Sequence, residues 1–276
     1  MNAIQRVFGK DKAIIAMAHF PPLPGQPQYN QRKGVGGIVE SLAKDLAVLA
    51  EAGFDGVMFC NEGDRPYRIT AGPETTATMG AVIAQLVPSI SIPFGVDILW
   101  DPEAAVALAV ATGASFVREV FTGSYAGDFG IWAPDPAKAL GMRQRLGADG
   151  LQLFFNITAE FAAPIAPRDI GTTARSVAFS SLADAICISG AITGSPPARE
   201  DLLAAKKGAG QVPVLANTGV SAANVGDVLE VTDGCIIGSS LKRDGLTWNE
   251  VDKSRVDAFM EAAAAGRSWR PRAKHV

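Results

Sequence analysis

Polar side chains stand at the ends of eight short apolar runs, where they could take part in acid–base chemistry. The runs are 13–18, 56–60, 94–98, 116–119, 152–156, 185–189, 214–216 and 234–237. A buried charged group is costly unless it is paired or used, so these terminal residues are candidates for a functional site. The candidate catalytic residues are Asp97, Glu119, Glu62, His19, Arg118 and Asn156.

Asp97 is the most informative of these residues, because apolar residues flank it on both sides. It either belongs to a functional site or forms a structural ion pair with Arg118 on the neighbouring run. Arg118 and Glu119 must point to opposite faces of a regular strand. We place Arg118 inward, as a clamp for an anion or a carbonyl group, and Glu119 nearer the rim.

His19 is one of two histidines in the chain. Its position at the end of the first run suits a general acid or base. Alternatively, it fixes the proline-rich turn 21–25. We predict no cofactor. A divalent metal such as zinc or manganese is the alternative, held by His19, Glu62, Asp97 and Glu119.

Two loops of small residues follow the last two apolar runs, at 217–221 and 238–242. Small residues let backbone N–H groups approach an anion closely, and a helix N-terminus adds a favourable field. The predicted phosphate-binding residues are Asn217, Thr218, Gly219, Gly238, Ser239, Ser240 and Lys242. Lys242 either neutralises the anion or is a solvated loop lysine.

The elements that must position these residues are eight strands alternating with amphipathic helices, which indicates a parallel sheet. Connections that enter the strands are short and connections that leave them are long. The long loops therefore share one face, at the carboxyl ends of the strands. We predict an α/β fold with a single (β/α)8 TIM barrel over 1–276. The segment 1–12 is an N-terminal extension and 267–276 is a basic tail. The glycine- and aromatic-rich segment 123–132 is either a closing lid or a packed surface loop.

Composition narrows the classes of protein. The chain has 276 residues, of which 48% are hydrophobic and 19% charged, and its net charge is −3. This balance argues against a nucleic-acid partner. No apolar run approaches the ~20 residues needed to cross a bilayer, so we expect no membrane insertion. Three cysteines without metal-ligand spacing indicate reduced thiols in a cytoplasmic protein.

Five segments together resemble the BtpA/SgcQ family over nearly the whole chain. They are 17–25, 62–67, 118–130, 217–224 and 237–252, and they include Met17-Ala-His19-Phe-Pro-Pro-Leu-Pro-Gly25 and Asn217-Thr-Gly219-Val-Ser-Ala-Ala-Asn224. Together these segments are specific to the family. The resemblance implies a barrel related to the ribulose-phosphate-binding group. It also implies two different settings, because one branch of the family is tied to photosystem I accumulation and another is encoded with sugar-uptake genes.

The sequence departs from the family pattern on the expected active face. Thr158-Ala-Glu160-Phe-Ala stands where the family usually carries a Lys-His pair, and Glu119 stands where an asparagine-like residue is usual. The resemblance therefore carries the fold, but not the substrate or the reaction.

Two functional hypotheses follow. The first is an enzyme acting on a small phosphorylated metabolite, in particular a sugar phosphate, by proton transfer of the isomerase, epimerase or lyase type. The alternative is a non-catalytic biogenesis or assembly factor of the BtpA type, which would expose an apolar patch. In either case we expect a homodimer or a higher homo-oligomer.

Overall fold

The computed structural model describes residues 1–268 and contains a closed barrel of eight parallel strands. The barrel strands are β1 Ala13–His19, β2 Gly56–Cys60, β3 Phe94–Asp97, β4 Phe116–Glu119, β7 Gln152–Asn156, β9 Ala185–Ile188, β10 Val214–Ala216 and β11 Gly234–Ile237. They neighbour one another in chain order, and β11 pairs with β1 to close the ring. The predicted TIM barrel is confirmed, and each predicted strand lies within one residue of its observed bounds.

Helices alternate with these strands and surround them. They are α1 Ala3–Phe8, α2 Gly34–Glu51, α3 Pro73–Leu86, α4 Pro102–Thr112, α5 Pro136–Arg145, α6 Ile170–Ser180, α7 Arg199–Ala209, α8 Val225–Val231 and α9 Lys253–Ser268. Aspartate side chains begin several of them. For example, Asp101 accepts a hydrogen bond from the backbone N–H of Ala104, and Asp169 accepts one from that of Thr172.

Strand alternation divides the apolar residues into two cores. Ile14, Val57 and Val96 pack between the strands and the helices. Their neighbours one position along, such as Ile15 and Met58, fill the barrel interior. Successive side chains along each strand therefore point alternately towards the barrel axis and towards the helices.

The predicted N-terminal extension forms helix α1, which packs against the base of the barrel. Ile4 is fully buried and joins the interior core. The ring of Phe8 meets that of Phe116 edge-on, with centroids 5.6 Å apart. The basic segment 267–276 lies almost entirely outside the described residues.

A small antiparallel sheet covers part of the opposite end of the barrel. Its strands are β5 Tyr125–Gly127, β6 Gly130–Trp132 and β8 Ala162–Pro164, in the order β6-β5-β8. The segment predicted as a lid or a surface loop is therefore an ordered hairpin whose Tyr125 and Trp132 side chains join the interior core.

The hairpin contributes Tyr125, Phe129 and Trp132 to an aromatic cluster that we call the aromatic roof, which also contains Tyr67 and Trp100. The centroids of Trp100 and Phe129 are 5.2 Å apart, and those of Phe129 and Trp132 are 4.9 Å apart. Trp100, Tyr125 and Trp132 of this cluster also join the interior core of the barrel. Within residues 1–268, no helix is both long enough and apolar enough to span a bilayer.

Candidate active site

A cavity of about 430 Å³ opens at the carboxyl ends of the strands, beside the aromatic roof. Loops that follow β2, β7, β9, β10 and β11 form its wall. The side chains and loops that line it include His19, Glu62, Arg118, Glu160, Thr193, Gly194, Pro196, Asn217–Ser221, Asn224, Gly238–Ser240 and Arg255. The cavity therefore brings together most of the residues selected from the sequence.

One end of the cavity is rich in backbone N–H groups. Gly219, Val220, Ser239 and Ser240 line it, and none of their backbone N–H groups has a hydrogen-bond acceptor among the described residues. Unpaired backbone amides that converge on a concave surface form an anion-binding nest. This end has the donors that a phosphate group requires.

The hydroxyl groups of these loops are used to hold the loops in place. Ser240 donates to the backbone oxygen of Val220 at 2.6 Å, and Thr218 donates to that of Ser195 at 2.7 Å. The hydroxyls of Ser239 and Thr247 lie 2.6 Å apart. Because the side chains are already paired, the backbone supplies the free donors.

Glycine is required at position 219. Its φ of +64° is in the left-handed region. A Cβ atom there would lie 2.1 Å from the backbone nitrogen of Pro196. Glycine at this position therefore allows the loop after β10 to pack closely against the loop after β9. This contact shapes the amide-rich end.

Lys242, predicted to neutralise the anion, does not line this cavity. It is 2% exposed, and its Nζ lies 2.5 Å from Oδ2 of the buried Asp45 on α2. The cation at the amide-rich end is instead Arg255 of α9, whose Nη1 donates to the backbone oxygen of Ser240 at 3.2 Å. Sequence reasoning missed Arg255 because helix α9 lies after the last strand and its loop.

Glu62 faces the other end of the cavity. Its Oε1 accepts hydrogen bonds from Tyr67 at 3.1 Å and from Thr193 at 3.0 Å. Burial raises the pKa of Glu62 most, and the charge of Glu160 adds to that rise while Arg118 opposes it. Glu62 therefore retains a proton at higher pH than an exposed glutamate does.

Glu160 was not selected from the sequence, yet it lines the cavity and is 4% exposed. Asn156 donates to its Oε2 at 3.1 Å, and Asn217 donates to its Oε1 at 3.3 Å. Asn156 and Asn217 thus orient this carboxylate. The signal was the departure from the family pattern at residues 158–162, where the backbone of Phe161 also has a positive φ of 59°.

Arg118 links the cavity to Asp97 behind it. Arg118 lines the cavity, as expected, and its Nη1 lies 3.0 Å from Oδ2 of Asp97. Asp97 itself is fully buried and does not line the cavity. Burial raises the pKa of Asp97 to about 7 despite the opposing charge of Arg118. The ion pair considered for Asp97 is present, so Asp97 positions Arg118.

Glu119, placed nearer the rim by the sequence, is fully buried and lies away from the cavity. Strand alternation explains the difference, since Phe116 and Arg118 point into the barrel and Glu119 therefore points out of it. Burial first, and the charge of Asp97 second, hold the pKa of Glu119 well above its usual value.

His19 lines the cavity at the level of Gly238, and its ring limits the space there. Burial, followed by the charges of Lys242 and Arg118, holds the pKa of His19 well below its usual value. A neutral imidazole can donate one hydrogen bond to a substrate oxygen without carrying charge.

The alternative metal set does not assemble. Within residues 1–268, no three His, Cys, Asp or Glu side chains converge as metal ligands. Asp97 is paired with Arg118, and Glu119 points away from the cavity, so His19 and Glu62 lack the other two predicted ligands.

Comparison with known proteins extends this description. The family model described as "BtpA family" matches residues 10–265. The putative sgc region protein SgcQ of Escherichia coli K12 is 42% identical, over 95% of this chain and 97% of its own length. The photosystem I biogenesis protein BtpA of Synechocystis is 30% identical, over 96% of this chain and 93% of its own length.

Solved structures with the same fold have much lower sequence identity. N-(5'-phosphoribosyl)anthranilate isomerase from Pyrococcus furiosus has a TM-score of 0.54 and 12% identity, with 92% of this chain and 99% of that chain covered. Thiamine phosphate pyrophosphorylase from the same organism has a TM-score of 0.56 and 15% identity, with coverages of 93% and 98%. These two likenesses support the barrel fold, whereas the family match and the two relatives establish that the chain belongs to the BtpA family.

Proposed function

We propose that the protein is an enzyme that binds a small phosphorylated metabolite, in particular a sugar phosphate, and moves a proton on it. The observation that carries the proposal is a single cavity with free backbone amides at one end and two glutamates at the other. The phosphorylated compounds named for two proteins of the same fold agree with it.

At the amide-rich end, the phosphate group would accept hydrogen bonds from Gly219, Val220, Ser239 and Ser240. Arg255 would add a positive charge. Charge-assisted hydrogen bonds of this kind are stronger than neutral ones, so the phosphate anchors the substrate. The anchored substrate then extends along the cavity towards Glu62 and Glu160.

At the other end, the two glutamates suit opposite roles. Burial raises the pKa of Glu62, and a raised pKa suits a general acid. Glu160 has both oxygens held by side-chain amides, and it fits a general base. Arg118 and neutral His19 would polarise a carbonyl oxygen between them. This set supports isomerase, epimerase or lyase chemistry that begins with proton removal beside a carbonyl group.

Solvent deuterium exchange tests the proposal. Phosphorylated aldoses and ketoses are incubated with the protein in heavy water, and loss of carbon-bound proton signals is followed by NMR. We expect exchange with at least one sugar phosphate, and a loss of about 10²-fold or more in Glu160→Gln and in Glu62→Gln. Glu261→Gln, on the exposed face of α9, serves as the control. Exchange that survives both glutamate substitutions would contradict these roles.

The non-catalytic alternative has one observation in its favour. Phe179 and Leu182, at the end of α6, are 86% and 63% exposed. An exposed apolar pair fits a protein contact surface. The test is complementation of a strain from which the gene has been deleted. If this surface carries the function, Phe179→Ser together with Leu182→Ser fails to complement the deletion, while Glu160→Gln still complements it. The opposite result supports the enzyme.

A further inference from the structure

The end of the cavity opposite the amide-rich loops is rich in hydrogen-bond acceptors. Glu62 and Glu160 both face it. Asn217 also lines the cavity and is 5% exposed. Its side-chain oxygen Oδ1 is buried and has no partner among the described residues. Leaving a buried acceptor unpaired costs free energy, so a ligand that donates to it gains affinity.

The orientation of the Asn217 amide is fixed by its neighbours. Its Nδ2 donates to Ser189 Oγ at 2.7 Å and to Glu160 Oε1 at 3.3 Å. Turning the amide over would place Oδ1 against the Glu160 carboxylate, where two acceptors would repel. Asn217 was selected from the sequence as a phosphate ligand, but its donor group is occupied and its free atom is an acceptor.

The walls of the cavity offer little to an aromatic ligand. Among the described lining residues, His19 has the one ring, and the apolar side chains are Met17, Pro196 and Val220. The rings of the aromatic roof pack on one another instead, as the 5.1 Å separation of the Tyr125 and Trp132 centroids illustrates. Apart from the His19 imidazole and the guanidinium groups of Arg118 and Arg255, the described lining offers a nucleobase or an aryl group no face on which to stack.

We propose that the substrate is a non-aromatic polyol monophosphate, whose hydroxyl groups donate to Asn217 Oδ1 and to Glu160 while its phosphate occupies the amide-rich end. The inference rests on the proposed function and deepens it, because Asn217 becomes the residue that reads the substrate's hydroxyl groups. It separates this protein from barrels of the same fold whose named compounds contain an aromatic ring.

Matched ligands test the inference in direct binding measurements by calorimetry. Ribitol 5-phosphate and pentyl phosphate have the same chain length and differ in their hydroxyl groups, and neither has a carbonyl group that could react. We expect ribitol 5-phosphate to bind at least about tenfold more tightly, since one good hydrogen bond to a charged group supplies that factor. Adenosine monophosphate should bind no more tightly than inorganic phosphate.

Two variants test whether Asn217 causes the preference for ribitol 5-phosphate. Asn217→Ser should remove most of the preference for ribitol 5-phosphate over pentyl phosphate and leave the affinity for inorganic phosphate within about twofold. Asn30→Ser, the same substitution at an exposed asparagine outside the cavity, should leave the preference unchanged. Equal affinities for the two esters in the wild-type protein, or tighter binding of adenosine monophosphate, would overturn the inference while the proposed function stands. Failure of the wild-type protein to bind inorganic phosphate would overturn both.

Discussion

The ammonium group of Lys242 lies 2.5 Å from a carboxylate oxygen of Asp45, and both side chains are buried between α2 and the loop after β11. The other oxygen of Asp45 accepts a hydrogen bond from the backbone N–H of Val251 at 2.8 Å. The Asp45 carboxylate thus connects helix α2 to both ends of the segment between β11 and α9. Neither residue lines the candidate cavity.

Lys242→Met should destabilise the protein without weakening phosphate binding. The substitution leaves Asp45 buried without its cation, and breaking a buried pair costs about 3–5 kcal/mol. Urea unfolding measures the loss. Lys44→Met is the matched control, because Lys44 pairs with Glu40 on the exposed face of the same helix, and no measurable change is expected. A tenfold loss of phosphate affinity in folded Lys242→Met would restore Lys242 as a direct ligand.

Arg255→Ala should lower the affinity for inorganic phosphate about tenfold, because it removes the one arginine at the described amide-rich end. The loss should shrink at high salt, since Arg255 is exposed and its charge is screened. Arg243→Ala is the control, because that side chain is exposed and pairs with Glu250. Equal affinities for the two variants, measured by calorimetry, would remove Arg255 from the site.

Gly219→Ala should abolish phosphate binding and lower the free energy of unfolding by about 1–3 kcal/mol. The new Cβ meets the backbone at Pro196, and alanine is strained at the positive φ. Gly226→Ala, in helix α8 with open space around it, should instead leave binding intact and stabilise the protein by up to about 1 kcal/mol. Urea unfolding and calorimetric titration with phosphate, carried out on both variants, measure these two effects. Intact phosphate binding in Gly219→Ala would contradict the prediction.

Asp97 should make the protein less stable as pH rises. Its pKa is about 7 in the folded protein and about 3.8 when unfolded, so the folded state alone holds the proton between these values. Stability from this group is fully present below about pH 3.8 and is lost as pH rises through about 7. The wild-type protein should therefore lose stability relative to Asp97→Asn between about pH 4 and about pH 7. A constant difference across that range would contradict this assignment.

The fold followed from features that act locally. Short apolar runs, glycine and aspartate at helix ends, and long loops on one face all depend on residues close in the chain, and they predicted the barrel strands to within one residue. The hairpin of β5 and β6 was missed because its strands have three residues each, and β8, which pairs with β5, lies about forty residues further along the chain.

The site was harder to predict, because it depends on the direction in which each polar side chain points. Glu62, Arg118 and Asn217, selected because they lie at polar strand ends, line the cavity. Glu119 and Lys242 are equally polar, but strand alternation turns the first away from the cavity and Asp45 holds the second. Glu160 and Arg255 lie outside the strand ends, so no local pattern selected them.

The amide-rich loops follow β10 and β11, whereas Glu62, Arg118 and Glu160 come from the stretch between β2 and β8. Under the proposed function, substrate anchoring and proton transfer are thus encoded mainly in separate parts of the gene. Evolution can exchange the reacting groups of the earlier part while the later part continues to hold the same kind of anchor. Relatives that share the final loops but differ near residues 119 and 160 are where divergent activities should first be sought.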